Sequence, residues 1–217
     1  VCPYHQWTYD LDGALALAPH MGRDFDRALH HLKPVALRDI AGLLYVCLSD
    51  DPPPDIEELA AVVVPRLGIY DLHNAKVAFE QDVIEEGNWK LTMENNRECY
   101  HCSGSHPSLC RTFNDDPNLV GADDSVSSPV GAAHVARCEA AGLPSKYVID
   151  PNEQWRFVRI PFVGEAVSYT MDGKAAVTKM LNGMPFANAG TLLFFHYPNT
   201  WNHFLSDHIL NFRVLPV

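Results

Sequence analysis

The 217-residue chain is 47% hydrophobic and has a formal net charge of −11, from 27 acidic and 16 basic residues. That suits one large domain or two small ones with a real core. The acidic balance argues against a nucleic-acid or anionic-membrane partner, and no apolar run approaches the roughly 20 residues of a membrane span.

No secretory leader pattern is visible, and the six cysteines are irregularly spaced. A reduced, cytoplasmic protein is the expectation. An acidic surface is compatible with a cationic substrate, but it is also the ordinary state of a soluble protein.

Residues 1–50 read as β structure. The chain opens on Cys2-Pro3-Tyr4-His5, a C-x-x-H pair. C-x-x-H is the second half of a Rieske [2Fe–2S] ligand set, in which two Cys hold one iron and two His the other. Alone, it also reads as half of a zinc site. "QWTYDLDGALALA" then predicts strand, Asp-Gly turn and strand, and "KPVALRDIAGLLYVCLS" repeats the pattern around a Gly. "IAGLLYVCL" is the longest clear apolar run and predicts a buried strand. His20, His30 and His31 read as surface histidines. "DDPPPD" over residues 50–55 is the clearest boundary, because consecutive prolines continue neither strand nor helix. The expected division is therefore 1–50 and 51–217.

"DIEELAAVVVPRL" predicts a helix with Asp55 as cap and acidic residues in its first turn. "LHNAKVAFEQDVIEEG" alternates polar and apolar residues and predicts a long strand, ended by Gly87. Asn88 can cap a helix over 88–100, with Trp89, Leu91 and Met93 as core anchors.

Within residues 94–106, "ENNRECYHCSGSH", Glu98, His101 and His106 form E-x-x-H-x-x-x-x-H. Two imidazoles and a nearby carboxylate are what a non-haem Fe(II) site uses, leaving positions open for dioxygen and substrate. At about 100° per residue Glu98 and His101 share a helix face, whereas His101 and His106 would diverge by about 140°. The helix must end or bend between them, and Ser103, Gly104, Ser105 and Pro107 allow it. A turn is expected to bring His106 back towards His101. Otherwise they are two ordinary histidines near a helix end.

Residues 115–129, rich in Asp, Ser and Gly, read as an exposed loop. "GAAHVARCEAAG" predicts a short surface helix ended by Gly142. His134 and Cys138, at i,i+4 on it, could bind a metal but read as ordinary surface positions. Strands then return as "WRFVRIPFV", "AVSYTM", "KAAVTKML", "TLLFFHYPNTWNHFL" and "HILNFRVLPV", with turns at Asp172-Gly173, Asn182-Gly183 and Ser206-Asp207. An antiparallel meander with the earlier helices makes the fold class α+β.

The two metal motifs, in this order and 96 residues apart from His5 to His101, resemble the oxygenase α-subunit of the Rieske non-haem iron oxygenases. "CPYHQWTYDLDG", "LKPV" before "GLLYVCLSDDPP", "NWKLTMENNRECYHC", "VSYTMDGKAAV" and "HYPNTWNHFLSDHILNFRVLPV" look like the branch that oxidatively demethylates betaines, such as glycine betaine and proline betaine (stachydrine). The resemblance runs from the first residue to the last.

It implies the C-terminal half of a small antiparallel-β Rieske [2Fe–2S] domain over 1–50. Over 51–217 it implies a helix-grip-like catalytic domain, an antiparallel sheet with helices, truncated like the first. Cys2 and His5 are the implied cluster ligands, and His101 and His106 those of a mononuclear Fe(II). Glu98 is the implied carboxylate through which electrons pass from His5 of one subunit to His101 of the next, in a homotrimer. Many family members have Asp at this bridge; Glu reaches further and should still accept both N–H donors.

The implied reaction takes electrons from NAD(P)H through the flavin of a ferredoxin-type reductase. It hydroxylates an N-methyl group of a small cationic substrate with dioxygen and releases formaldehyde. Aromatic faces are natural partners for a quaternary ammonium. Phe157, Phe162, Tyr169, Phe194, Phe195, Tyr197 and Trp201 are the candidates, two or three of them expected at the pocket.

A Rieske set also needs C-x-H about 15–17 residues before C-x-x-H. Cys99-Tyr100-His101 is the only C-x-H in the chain and comes after it. The third iron ligand is implied to be an Asp on a helix beyond Val217. Asp207 reads as part of a hairpin turn, and Glu94, at i,i+7 from His101, is a weak in-chain substitute. The chain therefore reads as an internal piece of a longer α-subunit. Two alternatives stay open. One is another Rieske oxygenase, aromatic-ring-hydroxylating or acting on a different amine. The other is an inactive or zinc-binding fragment using Cys2, His5 and some of Cys99, His101, His106 and Cys110.

Overall fold

The computed structural model describes residues 1–121 and 127–216, so part of the expected 115–129 loop lies outside the described residues. The chain divides into two units, one over Val1–Ala60 and one from Ala61 onward.

In the first unit β1 (Thr8–Tyr9) pairs antiparallel with β2 (Leu15–Leu17), and β3 (Ala36–Ile40) with β4 (Leu43–Cys47). The turn between β3 and β4 is Ala41-Gly42, with φ of 53° and 90°. Two successive positive φ values give the hairpin twist that matches the strands, and the Asp39 carboxylate accepts the Gly42 N–H at 2.9 Å. The expected buried strand is instead half-covered: Leu44 and Val46 are 68% and 61% exposed. Alternate residues of a two-stranded ribbon face opposite ways, so a second layer is needed to bury both sets.

Helix α1 (Ile56–Leu67) follows the proline run, with Glu57 and Glu58 in its first turn. It buries Leu59, Val63 and Leu67, an i, i+4, i+8 stripe.

The second unit corrects the predicted long strand. Leu72–Asn74 is a 3-10 turn, and residues 75–87 are irregular, with Val77, Phe79, Val83 and Ile84 exposed. Alternation alone does not make a strand; the backbone needs a pairing partner, and no strand of the described residues supplies one. Helix α2 (Trp89–Arg97) starts where expected, the Asn88 side chain accepting from Lys90 N at 3.1 Å. Met93 is buried as an anchor, but Leu91 is 62% exposed. Helix α3 (Cys102–Ser105) is a single turn, and α4 (Pro129–Ala140) is capped by Ser128, whose hydroxyl accepts from Gly131 N at 3.1 Å.

A five-stranded antiparallel meander follows: β5 (Val148–Ile149), β6 (Trp155–Ile160), β7 (Thr191–His196), β8 (Thr200–Phe204) and β9 (Ile209–Arg213), paired in that order. Phe157 on β6 faces Phe194 on β7, both fully buried and stacked at 4.1 Å. The single predicted strand "TLLFFHYPNTWNHFL" is the β7–β8 hairpin. "AVSYTM" and "KAAVTKML" form no strands; they belong to a loop between β6 and β7, tied down by Val163 N–H to Thr112 O and Leu181 N–H to Ser206 O.

His134 and Cys138 are not on a surface face. They are 8% and 0% exposed, packed at the start of β7. Gly190 makes the room. Its φ is +71°, and a Cβ there would lie 2.1 Å from Ile160 O and 2.7 Å from His134 Nε2. Gly190→Ala is expected to lower stability by at least about 2 kcal/mol, read as a shifted denaturation midpoint. An unchanged midpoint would mean that this packing does not hold.

Candidate functional site

The candidate site of the second unit lies at the break between α2 and α3. α2 stops at Arg97 rather than Tyr100, because Glu98 leaves helical geometry at φ −109°, ψ 71°. A 3-10 turn over Cys99–His101 follows, and then α3. His106 caps α3, its N–H donating to Cys102 O at 2.7 Å, and its carbonyl accepts from Leu109 N and Cys110 N. Both histidines are thus fixed by backbone bonds within a few residues. The outcome is the expected return: the His101 and His106 rings lie 5.3 Å apart at 75°.

That spacing fits a shared metal. A metal–nitrogen bond of about 2.1 Å puts each ring centroid roughly 3.2 Å from the ion, so two imidazoles about 90–110° apart have centroids roughly 4.5–5.3 Å apart. His101 Nδ1 lies 2.5 Å from the Glu98 backbone carbonyl. A carbonyl only accepts, so Nδ1 carries the proton and Nε2 is left to ligate.

The expected helix face shared by Glu98 and His101 is lost, since the helix ends before both. It is the Glu98 carbonyl that meets His101. The Glu98 carboxylate is exposed and accepts from the Tyr100 hydroxyl at 3.3 Å.

Glu94 does not complete the centre, because the same break destroys its i,i+7 alignment with His101. Among the described residues no group of three His, Cys, Asp or Glu is placed to hold a metal. Asp207 lies in the β8–β9 connection as expected, and it is buried. Its carboxylate accepts from Ala176 N at 2.7 Å and pairs with His208 Nδ1 at 2.9 Å. Burial alone would raise its pKa, but the hydrogen bonds from His208 and Ala176 outweigh it, and the net shift is downward. Cys102, beside His101, is a core thiol pushed up to about 12 by burial and by Cys99.

In the first unit Cys2 and His5 line one open cavity of about 660 Å³ with Trp7, Tyr9 and Leu32. Cys2 N–H to Trp7 O (2.7 Å) and Gln6 N–H to Cys2 O (3.0 Å) close the loop that carries them. Both side chains are exposed and Cys2 is a free thiol, so the pair fits the second half of a cluster ligand set.

The aromatic candidates separate. Phe157 and Phe194 are spent on each other in the sheet core. Tyr197 is engaged by Arg97, which donates to its hydroxyl and sits 4.9 Å over its ring. Tyr169, Phe195 and Trp201 instead pack on the cluster that contains Cys102 and Phe113. Phe162 joins through the Tyr169 ring at 5.5 Å, and His203 through the Tyr169 hydroxyl at 3.4 Å. Phe113, His203 and Arg97 carried no motif of their own and were not singled out in the sequence; only the fold brings them here.

Burial pushes His134 and His203 each down to about 4. Unfolded, both titrate near the ordinary value of about 6.5. Below that pH the unfolded chain takes up protons that the folded chain refuses, so stability should fall between about pH 6.5 and pH 4. Urea midpoints at pH 7.5 and pH 5 are expected to differ, and His203→Gln to reduce the difference. Equal midpoints would mean that neither ring is desolvated in the folded chain.

The ring hydroxylating alpha subunit (catalytic domain) model matches residues 72–217. The chain is 42% identical over 221 residues to the glycine betaine monooxygenase oxygenase subunit of Chromohalobacter salexigens, covering all of this chain and 49% of that protein. It is 40% identical to the subunit of the same name from Pseudomonas aeruginosa, covering 51% of it. A carnitine monooxygenase oxygenase subunit from Acinetobacter baumannii matches half of this chain at 34% identity, covering 30% of that protein. The chain spans about half the length of the two glycine betaine relatives. A solved quaternary ammonium Rieske monooxygenase, described for carnitine oxidation and inter-subunit electron transfer, matches with a TM-score of 0.60 at 20% identity. That match covers 97% of this chain and 47% of the other, and it shows a shared fold.

Proposed function

Because the chain belongs to the ring-hydroxylating α-subunit family of Rieske oxygenases, we propose that it is part of the oxygenase component of a monooxygenase that N-demethylates a betaine. The observation that carries this is the meeting of His101 and His106 beside a cluster of aromatic side chains. The full-length likeness to glycine betaine subunits supports the substrate class.

Residues 1–50 then supply half of the Rieske domain, with Cys2 and His5 as ligands. Residues 51–217 belong to a helix-grip-like catalytic domain. The third iron ligand is a carboxylate from outside residues 1–217. The assembly is a cytoplasmic homotrimer served by a ferredoxin-type reductase that draws on NAD(P)H and flavin.

Iron held by His101 and His106 would supply the activation of dioxygen, and a [2Fe–2S] cluster held in part by Cys2 and His5 would supply the electrons. The chain's own residues do the rest. His101 and His106 present Nε2 and a second imidazole nitrogen to the metal, and the Glu98 carbonyl fixes the His101 tautomer. Phe195 has Arg156 4.4 Å over its ring and Trp201 is stacked on Phe212 at 4.9 Å, so of this group Tyr169 is the ring left to offer a π face to a quaternary nitrogen that has no N–H to donate. Once an N-methyl carbon bears a hydroxyl group, its C–N bond breaks with the electron pair going to nitrogen. The hydroxyl proton leaves, giving formaldehyde and a tertiary amine.

The test uses the full-length protein with reductase and Fe(II). Formaldehyde release is assayed across glycine betaine, proline betaine, carnitine and choline, with an aromatic acid as control. Release with a betaine is the expected result. A diol from the aromatic acid with no formaldehyde from any amine would overturn the proposal.

A further inference from the structure

We infer that the cavity between Arg111 and the 163–175 loop is a second binding site, for a small zwitterion that carries a carboxylate and a cationic nitrogen. The cavity is open to solvent and about 560 Å³.

Its wall is preformed. Val163 N–H donates to Thr112 O at 2.9 Å, Val167 N–H to Gly173 O at 2.8 Å, and Gly173 N–H to Thr170 O at 3.0 Å. Asp207 holds the far end of the loop through Ala176 N–H at 2.7 Å. Gly173 has φ +72°, and a Cβ there would stand 3.1 Å from Ala166 Cβ, so the bend depends on glycine. A wall ordered in advance does not have to be ordered by the ligand.

The charges give the ligand class. Arg111, Lys174, Glu165 and Asp172 line the cavity. Lys174 and Asp172 form an exposed pair at 3.6 Å, and Asp172 also accepts from Lys174 N and the Thr170 hydroxyl. Arg111 and Glu165 make no hydrogen bond or ion pair among the described residues. One cavity thus presents charges of both signs, with Arg111 and Glu165 the cation and the anion that no side chain engages among the described residues. A simple anion gains from Arg111 but is repelled by Glu165; a simple cation meets the reverse. A molecule bearing both charges satisfies both, and the guanidinium fork suits a carboxylate.

The site is separate from the aromatic cluster. The segments that send Phe113, Phe162 and Tyr169 into their shared ring cluster present Arg111, Val163 and Val167 to this cavity.

The choice of betaine as probe rests on the proposed function; the site itself does not. Binding is measured by calorimetry on the full-length holoenzyme, anaerobically, for wild type, Arg111→Gln, Glu165→Gln and the charge swap Arg111→Glu/Glu165→Arg. The probes are glycine betaine, glycine, 3,3-dimethylbutyrate (the uncharged-centre isostere of betaine) and tetramethylammonium. The expected result is two classes of glycine betaine site, one of them weakened at least about tenfold in each single variant and regained in the swap.

Glycine bound at that site as tightly as betaine also supports a zwitterion site, indifferent to N–H. A single betaine site untouched by both single variants would overturn the inference. So would 3,3-dimethylbutyrate or tetramethylammonium binding there as tightly as betaine. Formaldehyde release is scored separately: its absence with the variant-sensitive site intact sinks the proposed function alone.

Discussion

Formaldehyde release is expected to fall by at least about 10³-fold in His101→Ala, with the visible absorbance of the Rieske cluster unchanged. Losing an outer partner of a metal-bound His typically costs 10- to 100-fold, and losing the ligand itself removes more. His101 is one of two imidazoles that the 97–106 turn brings to 5.3 Å. A single remaining His on that turn cannot define an open coordination face. Mononuclear iron content should drop with activity, and His106→Ala should behave alike. His5→Ala should do the reverse, bleaching the cluster and sparing the mononuclear iron, because Cys2 and His5 lie in the other unit. An iron-replete His101→Ala enzyme with a tenth of wild-type turnover would take His101 out of the centre.

What the sequence showed and what it hid follow from the range of the forces involved. Local signals translated directly. Gly42 made its turn, the prolines of residues 52–54 preceded a helix, Asn88 capped α2, and the Ser-Gly-Ser stretch let His106 return to His101. Errors came where a distant partner decides. Residues 75–87 alternate like a strand but have no pairing neighbour among the described residues. α4 looked like a surface helix because what buries His134 and Cys138 is Gly190, more than fifty residues on. Leu91 is apolar by type, but helix periodicity puts it about 200° from Trp89 and Met93, on the face that is exposed. The candidate site shared this split. The imidazole pair was readable because both rings sit on one turn, whereas Phe113 and Arg111 gained meaning only when the 163–175 loop folded against them.

In Glu98→Gln, both metal centres should load fully while turnover falls at least about 10²-fold. The reason is the division of labour within one residue. The Glu98 carbonyl holds His101 Nδ1–H at 2.5 Å, and the variant leaves that backbone contact intact. The carboxylate is exposed and, among the described residues, engaged by the Tyr100 hydroxyl at 3.3 Å. On the proposed reading it is free to accept an N–H from His5 of a neighbouring subunit. An amide keeps the shape and one acceptor oxygen but loses the charge, so the hydrogen bond it accepts from an imidazole N–H is no longer charge-assisted. The step to watch is cluster re-oxidation in a single turnover, with pre-reduced enzyme, betaine and dioxygen. Wild type should re-oxidise its cluster, and Glu98→Gln should leave it reduced. Glu98→Asp should recover part of the rate, because the charge returns on a shorter arm. Tyr100→Phe should change it by less than about threefold, because a single exposed hydrogen bond contributes little. Cluster re-oxidation at the wild-type rate in Glu98→Gln would mean that electrons reach His101 by a path that does not use this carboxylate.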